Sequence, residues 1–214
     1  MRSLDCILHG DDDFLLEIAR NLRDCGHQIA CLITGNPRAL AWAREEGITT
    51  AMSMPSGLPA CDLIVHADLL RKFVPQVAPG TLALRLQARH GDAAELIAAA
   101  VAAAHPFFEL AWMNEQRVAW AMRVPISTRD TAGAVIDSCH RLALEGFSEL
   151  ATALAREGDL PEAEPQPEAP VDDAVLAALQ RLHFELDAAI LAALPRAVDF
   201  GSRRTPAGLR LAAK

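Results

Sequence analysis

The chain has 214 residues, 51% of them apolar, which is enough for one α/β core with an appendage. Its 28 acidic against 20 basic side chains, a formal charge of −8 and the absence of tyrosine argue against the broad basic field and stacking platforms of nucleic-acid binding. The longest apolar helical run, residues 93–104, carries Glu95 and falls well short of the ~18 residues of a membrane span, so none is predicted.

The amino terminus meets Asp5 at once and has neither a long apolar stretch nor a small-residue cleavage site, which predicts a protein that is not exported and stays cytoplasmic. Five scattered cysteines, Cys6, Cys25, Cys31, Cys61 and Cys139, form no CxxC, and three lie in or beside apolar runs; buried free thiols are expected.

Residues 4–9 form a short apolar run compatible with a strand. Asp11, Asp12 and Asp13 then offer N-cap and first-turn acids to a helix whose apolar stripe is Phe14, Leu15, Ile18, Ala19 and Leu22, and Gly26 ends it. Residues 29–34 read as the second strand. Asn36 and Pro37 take the N-cap and N1 positions of a second helix, which Gly47 closes before Ile48. Strands separated by single helices imply a parallel sheet with right-handed crossovers. Residues 62–65 and 81–86 are the next strands, the latter preceded by the turn Pro79-Gly80.

Gly91-Asp92 opens an Ala-rich helix to about Ala104, broken by His105-Pro106. Apolar on nearly every face, this helix must lie inside the domain or be covered by another subunit, in which case the protein is a homodimer. Residues 107–113 and 117–126 are separated only by Asn114, Glu115 and Gln116, which predicts an antiparallel hairpin. Thr128 to Asp130 caps a long helix reaching about Glu157, with Val135, Cys139, Leu142, Phe147, Leu150 and Leu154 on its inner side. In residues 158–173, Pro161, Pro165, Pro167 and Pro170 sit among glutamates, the composition of an extended linker. Helical periodicity returns over residues 174–194, and a basic tail follows. The predicted organisation is thus an α/β domain over 1–157, a Pro/Glu-rich linker over 158–173, and a helical segment with its tail over 174–214.

His90, beside Arg89 and Asp92, is a candidate base at the carboxyl edge of the sheet, where ligands bind in open α/β folds, although a solvated loop residue is its plainer reading. His105, His140 and His183 fall at a helix end or on helical faces and suit packing or solvent. No HxxxH or CxxC spacing appears, so no metal is expected. Gly10-Asp11-Asp12-Asp13 lacks the GxGxxG order, and its three acids would repel a pyrophosphate. Ser127, Ser138 and Ser148 have no nucleophile-elbow context.

Four segments, in order and at compatible spacing, carry a family resemblance: Leu4-Asp5-Cys6-Ile7-Leu8, Arg23-Asp24-Cys25-Gly26-His27-Gln28-Ile29, Ala41-Trp42-Ala43-Arg44-Glu45-Glu46-Gly47-Ile48 and Pro125-Ile126-Ser127-Thr128-Arg129-Asp130-Thr131-Ala132. From about residue 3 to 156 the chain resembles the amino-terminal domain of folate-dependent formyltransferases. The resemblance implies a Rossmann-like open, mostly parallel sheet with helices on both faces, here followed by a C-terminal helical appendage.

In that family the catalytic strand reads, in pattern, apolar-apolar-Asn-x-His, and a distant loop Asp orients the His. The Asn and His supply an oxyanion donor and a proton-handling group. The resemblance sets this strand at residues 81–87, with Arg85 in the Asn place and Gln87 in the His place. Arginine can still hold an anion, but glutamine cannot exchange a proton near neutral pH. The loop for the Asp has no room in Asn114-Glu115-Gln116, and the loop after the His place is cut to Ala88-Arg89-His90-Gly91. The resemblance therefore implies a domain that has lost formyl transfer and needs no cofactor. The alternative is an active formyl or acyl transferase that uses 10-formyltetrahydrofolate near Arg85, with His66 or His90 as base. A shifted register would make His66 the family's histidine, but it leaves the first segment too short and residues 82–87 unmatched.

The pattern is most similar to formyltransferase-like domains at the front of nonribosomal peptide synthetases and hybrid assembly-line proteins. Arg196-Ala197-Val198-Asp199-Phe200-Gly201, followed by Pro206-Ala207-Gly208-Leu209, resembles the segment that joins such a domain to an adenylation module. This implies a structural or docking role toward an adenylation or carrier-protein module, with Arg203 and Arg204 as candidate pairing residues, although solvated charge is their plainer reading.

Overall fold

Cys6, Ile7 and Leu8 are all fully buried in β1 (Asp5–His9), the pattern of a strand covered on both faces in a parallel sheet. The computed structural model describes residues 1–55, 58–70, 80–88, 92–115, 117–161, 196, 197 and 199. The elements that follow β1 are α1 (Phe14–Asp24), β2 (Gln28–Ile33), α2 (Pro37–Glu45), β3 (Thr50–Ala51), β4 (Leu63–His66) and β5 (Leu82–Ala88). Then come α3 (Ala93–Ala102), β6 (Phe107–Asn114), β7 (Arg117–Pro125) and α4 (Ala132–Glu157).

The seven strands form one sheet in the order β3-β2-β1-β4-β5-β6-β7. The pairs β1 with β2, β1 with β4, β2 with β3 and β4 with β5 are all parallel. β6 and β7 are sheet neighbours joined so closely that they must run antiparallel. The order of strands reverses between β1 and β4, which makes their carboxyl ends the topological switch point of the sheet.

The apolar stripe of α1 is buried as its period requires: Phe14, Leu15, Ile18, Ala19 and Leu22 all face the core. Its acidic start differs from expectation. Asp13 occupies the N-cap position but makes no side-chain cap bond, and Asp12 instead accepts from the Phe14 N–H. Asp11 and Asp13 reach across to the next turn, where Asp11 accepts from Gly35 N–H and Asp13 accepts from Asn36 Nδ2 and Arg38. Tertiary partners have drawn the carboxylates away from the helix end. At α2 the local rule holds, because the Asn36 side chain accepts from the Arg38 and Ala39 N–H groups and Pro37 follows it.

The chain divides into two compact units, one of residues 1–87, 111–120 and 143–163, the other of residues 88–110, 121–142 and 164–214. In the first, Ile7, Cys31, Ile33 and Ile64 form a buried cluster against which Met54, Leu58 and Cys61 pack. Trp112 is fully buried there, donates its indole N–H to the Ala143 carbonyl and packs on Phe147. In the second, Asp92 caps α3 by accepting from Ala94 and Glu95 N–H, and most of the helix is buried within the single chain. Also in the second unit, Arg123 pairs with Glu109 and lies over the Phe107 ring. On α4, Val135, Cys139, Phe147, Leu150 and Leu154 are buried as expected, while Leu142 is only half-buried. Most of residues 158–173, and all of the segment 174–194, lie outside the described residues. No helix among the described residues is long and apolar enough to cross a membrane.

Candidate functional site

β1 and β4 end in register on two histidines, His9 and His66. The next strand across continues the row, because His66 is the register partner of Arg85 on β5. On the other side His9 faces Ile33 of β2. The carboxyl edge of the sheet therefore presents Ile33, His9, His66 and Arg85 side by side, with the two imidazoles at the switch point.

The imidazoles are stacked, their centroids 4.9 Å apart and their planes inclined by 23°. Their Nδ1 atoms are 2.8 Å apart, a hydrogen bond in which one ring donates and the other accepts. His66 is 1% exposed and His9 is half-buried. The bond between the Nδ1 atoms sets the tautomers: the ring that donates from Nδ1 leaves its Nε2 as the basic nitrogen. Any proton acceptance by this pair in its neutral form therefore passes through the donating ring's Nε2.

Two turns support the pair. After β1 the chain passes through Gly10, whose φ of +155° suits glycine. After β4 it passes through Ala67, whose N–H donates to the His9 carbonyl, and Asp68, which is buried and accepts from Leu70 N–H. The first turn is acidic and internally engaged through Asp11, Asp12 and Asp13, so it offers a phosphate carboxylates in place of free amides.

On β5, Arg85 and Gln87 fall two residues apart, on one face of the strand, and both are half-buried. The structure thus brings His66 and Arg85 to neighbouring register positions, with Gln87 one step beyond on the face of Arg85. His90 lies outside the described residues, as do Arg203 and Arg204. His105 is tied locally: its Nδ1 meets the Phe107 carbonyl at 2.7 Å and its ring packs edge-on against Phe107. His140 is buried on α4, and Ser148 donates to the Leu144 carbonyl within the same helix. Among the described residues no group of three or more His, Cys, Asp or Glu side chains could hold a metal ion.

Sequence reasoning singled out His66 and missed His9. A signal was present: Leu8-His9-Gly10-Asp11 and Val65-His66-Ala67-Asp68 each end an apolar strand with His, a small residue and Asp. Residues that repeat a pattern at the ends of two parallel neighbours become partners when the strands align. The order recurs at His90-Gly91-Asp92, of which only Asp92 is described.

The hollow lined by Met1, Arg2, Ala155, Arg156, Glu157 and Gly158 lies by the amino end of β1, away from this edge. It is shallow and holds no convergent set of reactive side chains.

No protein-family model matches the chain, and no curated protein sequence matches it. Solved structures do. A 4-N formyltransferase from Francisella tularensis superposes with a TM-score of 0.64 at 10% identity, over 91% of this chain and 88% of that one. A sugar N-formyltransferase from Shewanella sp FDAARGOS_354 gives 0.63 at 14% identity, over 94% and 90%. A formyltetrahydrofolate deformylase from Pseudomonas putida KT2440 gives 0.57 at 9% identity, over 76% and 68%. At such identities the likeness is one of architecture, and the seven-stranded, mostly parallel sheet of this chain is the Rossmann-like fold of the formyltransferases.

Proposed function

We propose that this chain is a formyltransferase-fold domain that has lost formyl transfer and acts as a structural or docking element in a nonribosomal peptide or hybrid biosynthetic system. The observation that carries this reading is the face of β5 that holds Arg85 and Gln87. Formyl transfer to an amine needs an oxyanion donor and a group that takes and returns a proton. A guanidinium and a primary amide at these places can bind and orient, but neither exchanges protons near neutral pH. The close connection from Asn114 to Arg117 adds support, since it leaves no loop from which a carboxylate could orient a histidine.

The partner in this reading is an adenylation or carrier-protein module. Support comes from the resemblance of the segment starting at Arg196, and from its placement. Arg196 donates to the Thr128 carbonyl, the Asp199 backbone carbonyl accepts from Gly133 N–H near the start of α4, and Ala197 is buried.

A second reading has one observation in its favour. His66 stands at the switch point one register position from Arg85, which suits an active formyl or acyl transferase that uses 10-formyltetrahydrofolate, with His66 or His90 as base. Calorimetric titration with tetrahydrofolate and with coenzyme A separates the two, because only the active enzyme requires micromolar-range binding. An absence of heat, together with no turnover of a formyl donor, is expected. Turnover that disappears in His66→Ala or His90→Ala would establish the second reading instead.

A further inference from the structure

The contact between His9 and His66 limits how many protons the two rings can carry together. A nitrogen-to-nitrogen distance of 2.8 Å is a hydrogen bond only while one Nδ1 bears hydrogen and the other offers its lone pair. Two states of the pair meet that condition. In the first both rings are neutral, one protonated at Nδ1 and the other at Nε2. In the second one ring is an imidazolium donating to a neutral partner, and the bond is strengthened by charge. When both rings are imidazolium, two N–H groups and two positive charges face each other. The bond is then gone, and His66 is too buried for water to replace it.

We propose that His9 and His66 form a one-proton dyad that clasps the carboxyl ends of β1 and β4 and opens when forced to take a second proton. Among the described residues, the charged side chains next to it in sequence or register are Asp11 and Asp12 in the turn after β1, Asp68 in the turn after β4, and Arg85, the register partner of His66 on β5. β2 contributes only the apolar Ile33 beside His9. The carboxylates favour positive charge on the pair and Arg85 opposes it. The limit of one proton comes from the contact itself. Because the clasp lies at the switch point, its opening loosens the place where open α/β folds take ligands. This holds whether or not the chain transfers formyl groups.

The sign of the pH dependence follows from proton counting. In the unfolded chain both histidines titrate near ~6.5, so below that pH the unfolded state binds two protons and the folded dyad one. Stability is then lost as pH falls, about tenfold in the folding constant per pH unit.

The test is urea unfolding of the full chain from about pH 7.5 to about pH 5, for the wild type and for His9→Asn. An asparagine side chain can donate to neutral His66 or accept from its imidazolium, so the variant keeps a bond and loses the limit. His27, which burial pushes below the ordinary histidine value, loses stability in the same direction, but equally in both proteins. The wild type is expected to lose about tenfold more folding constant per pH unit below ~6 than the variant. Equal slopes overturn the proposal. Should His9→Asn fail to fold, long-range nitrogen–proton NMR of the wild-type imidazoles decides. Uptake of a single proton by the pair down to about pH 5 supports the dyad, and two independent uptakes above that pH overturn it.

Discussion

Trp120 of β7 lies over Gly146 of α4 so closely that a Cβ built on the glycine would stand 2.2 Å from Trp120 Cε2. The half-buried Trp120 indole would have to shift to admit a methyl group there. Glycine in mid-helix ordinarily costs about 1 kcal/mol relative to alanine, so this position trades helix propensity for close approach. Gly146→Ala is expected to destabilise by about 1–3 kcal/mol, the usual cost of overpacking, even after the propensity gain. Urea denaturation measures it. The double variant with Trp120→Ala should be less sensitive to the added methyl, and equal effects in both backgrounds would rule out the clash.

The second anchor of α4 is polar. Trp112 is fully buried and its indole N–H reaches the Ala143 carbonyl at 2.8 Å, while its ring meets Phe147 at a centroid distance of 5.5 Å. Trp112→Phe keeps an aromatic ring and removes the donor, with an expected loss of about 1–3 kcal/mol. Trp112→Ala also opens a cavity and should cost about 3–5 kcal/mol. Denaturant midpoints of the two variants should fall in that order.

These contacts mark where the sequence could be read and where it could not. The order of strands and helices followed from period and punctuation: the stripe from Phe14 to Leu22, the Asn36-Pro37 cap and the breaks at Gly26 and Gly47 act within a few residues of themselves. Strand ends shifted by one or two residues, as at β5, which runs to Ala88 where residue 86 was expected, because neighbouring strands decide how far pairing continues. Local rules assign the three acids after β1 to the start of α1, but Gly35, Asn36 and Arg38 claim two of them from the turn after β2. His9 escaped notice for the same reason. Its role exists only through the register of β1 against β4, which lies 57 residues away in the chain.

Cys6 gives a prediction for alkaline pH. Burial, reinforced by Asp62, Cys61 and Asp5, pushes its thiol from the ordinary 9.0 to about 12. Above pH 9 the unfolded chain releases this proton and the folded chain retains it, so the unfolded state binds fewer protons and stability falls as pH rises from about 9 to about 12. Cys6→Ala should flatten that decline, at the cost of a lower stability at neutral pH. Thiol labelling should give the same order: Cys25, which is exposed, reacts in the native state, and Cys6 reacts only on unfolding. Native-state labelling of Cys6 at the rate of Cys25 would contradict its burial.

Placing an asparagine and a histidine at positions 85 and 87 of β5 tests the proposed loss of formyl transfer most directly. The double variant Arg85→Asn, Gln87→His replaces two half-buried side chains on one strand face, so the sheet should survive it. A positioned acid–base group contributes about 10²–10⁴-fold in rate. That gain requires the imidazole to be held by a partner in the correct tautomer, and the Asn114-to-Arg117 connection leaves no loop to supply a carboxylate. The variant is therefore expected to consume 10-formyltetrahydrofolate no faster than the wild type. A rise of even ~10²-fold would show that His66, Asp68 or another group near β5 can orient the new histidine. The edge would then be a transferase site lacking only two side chains.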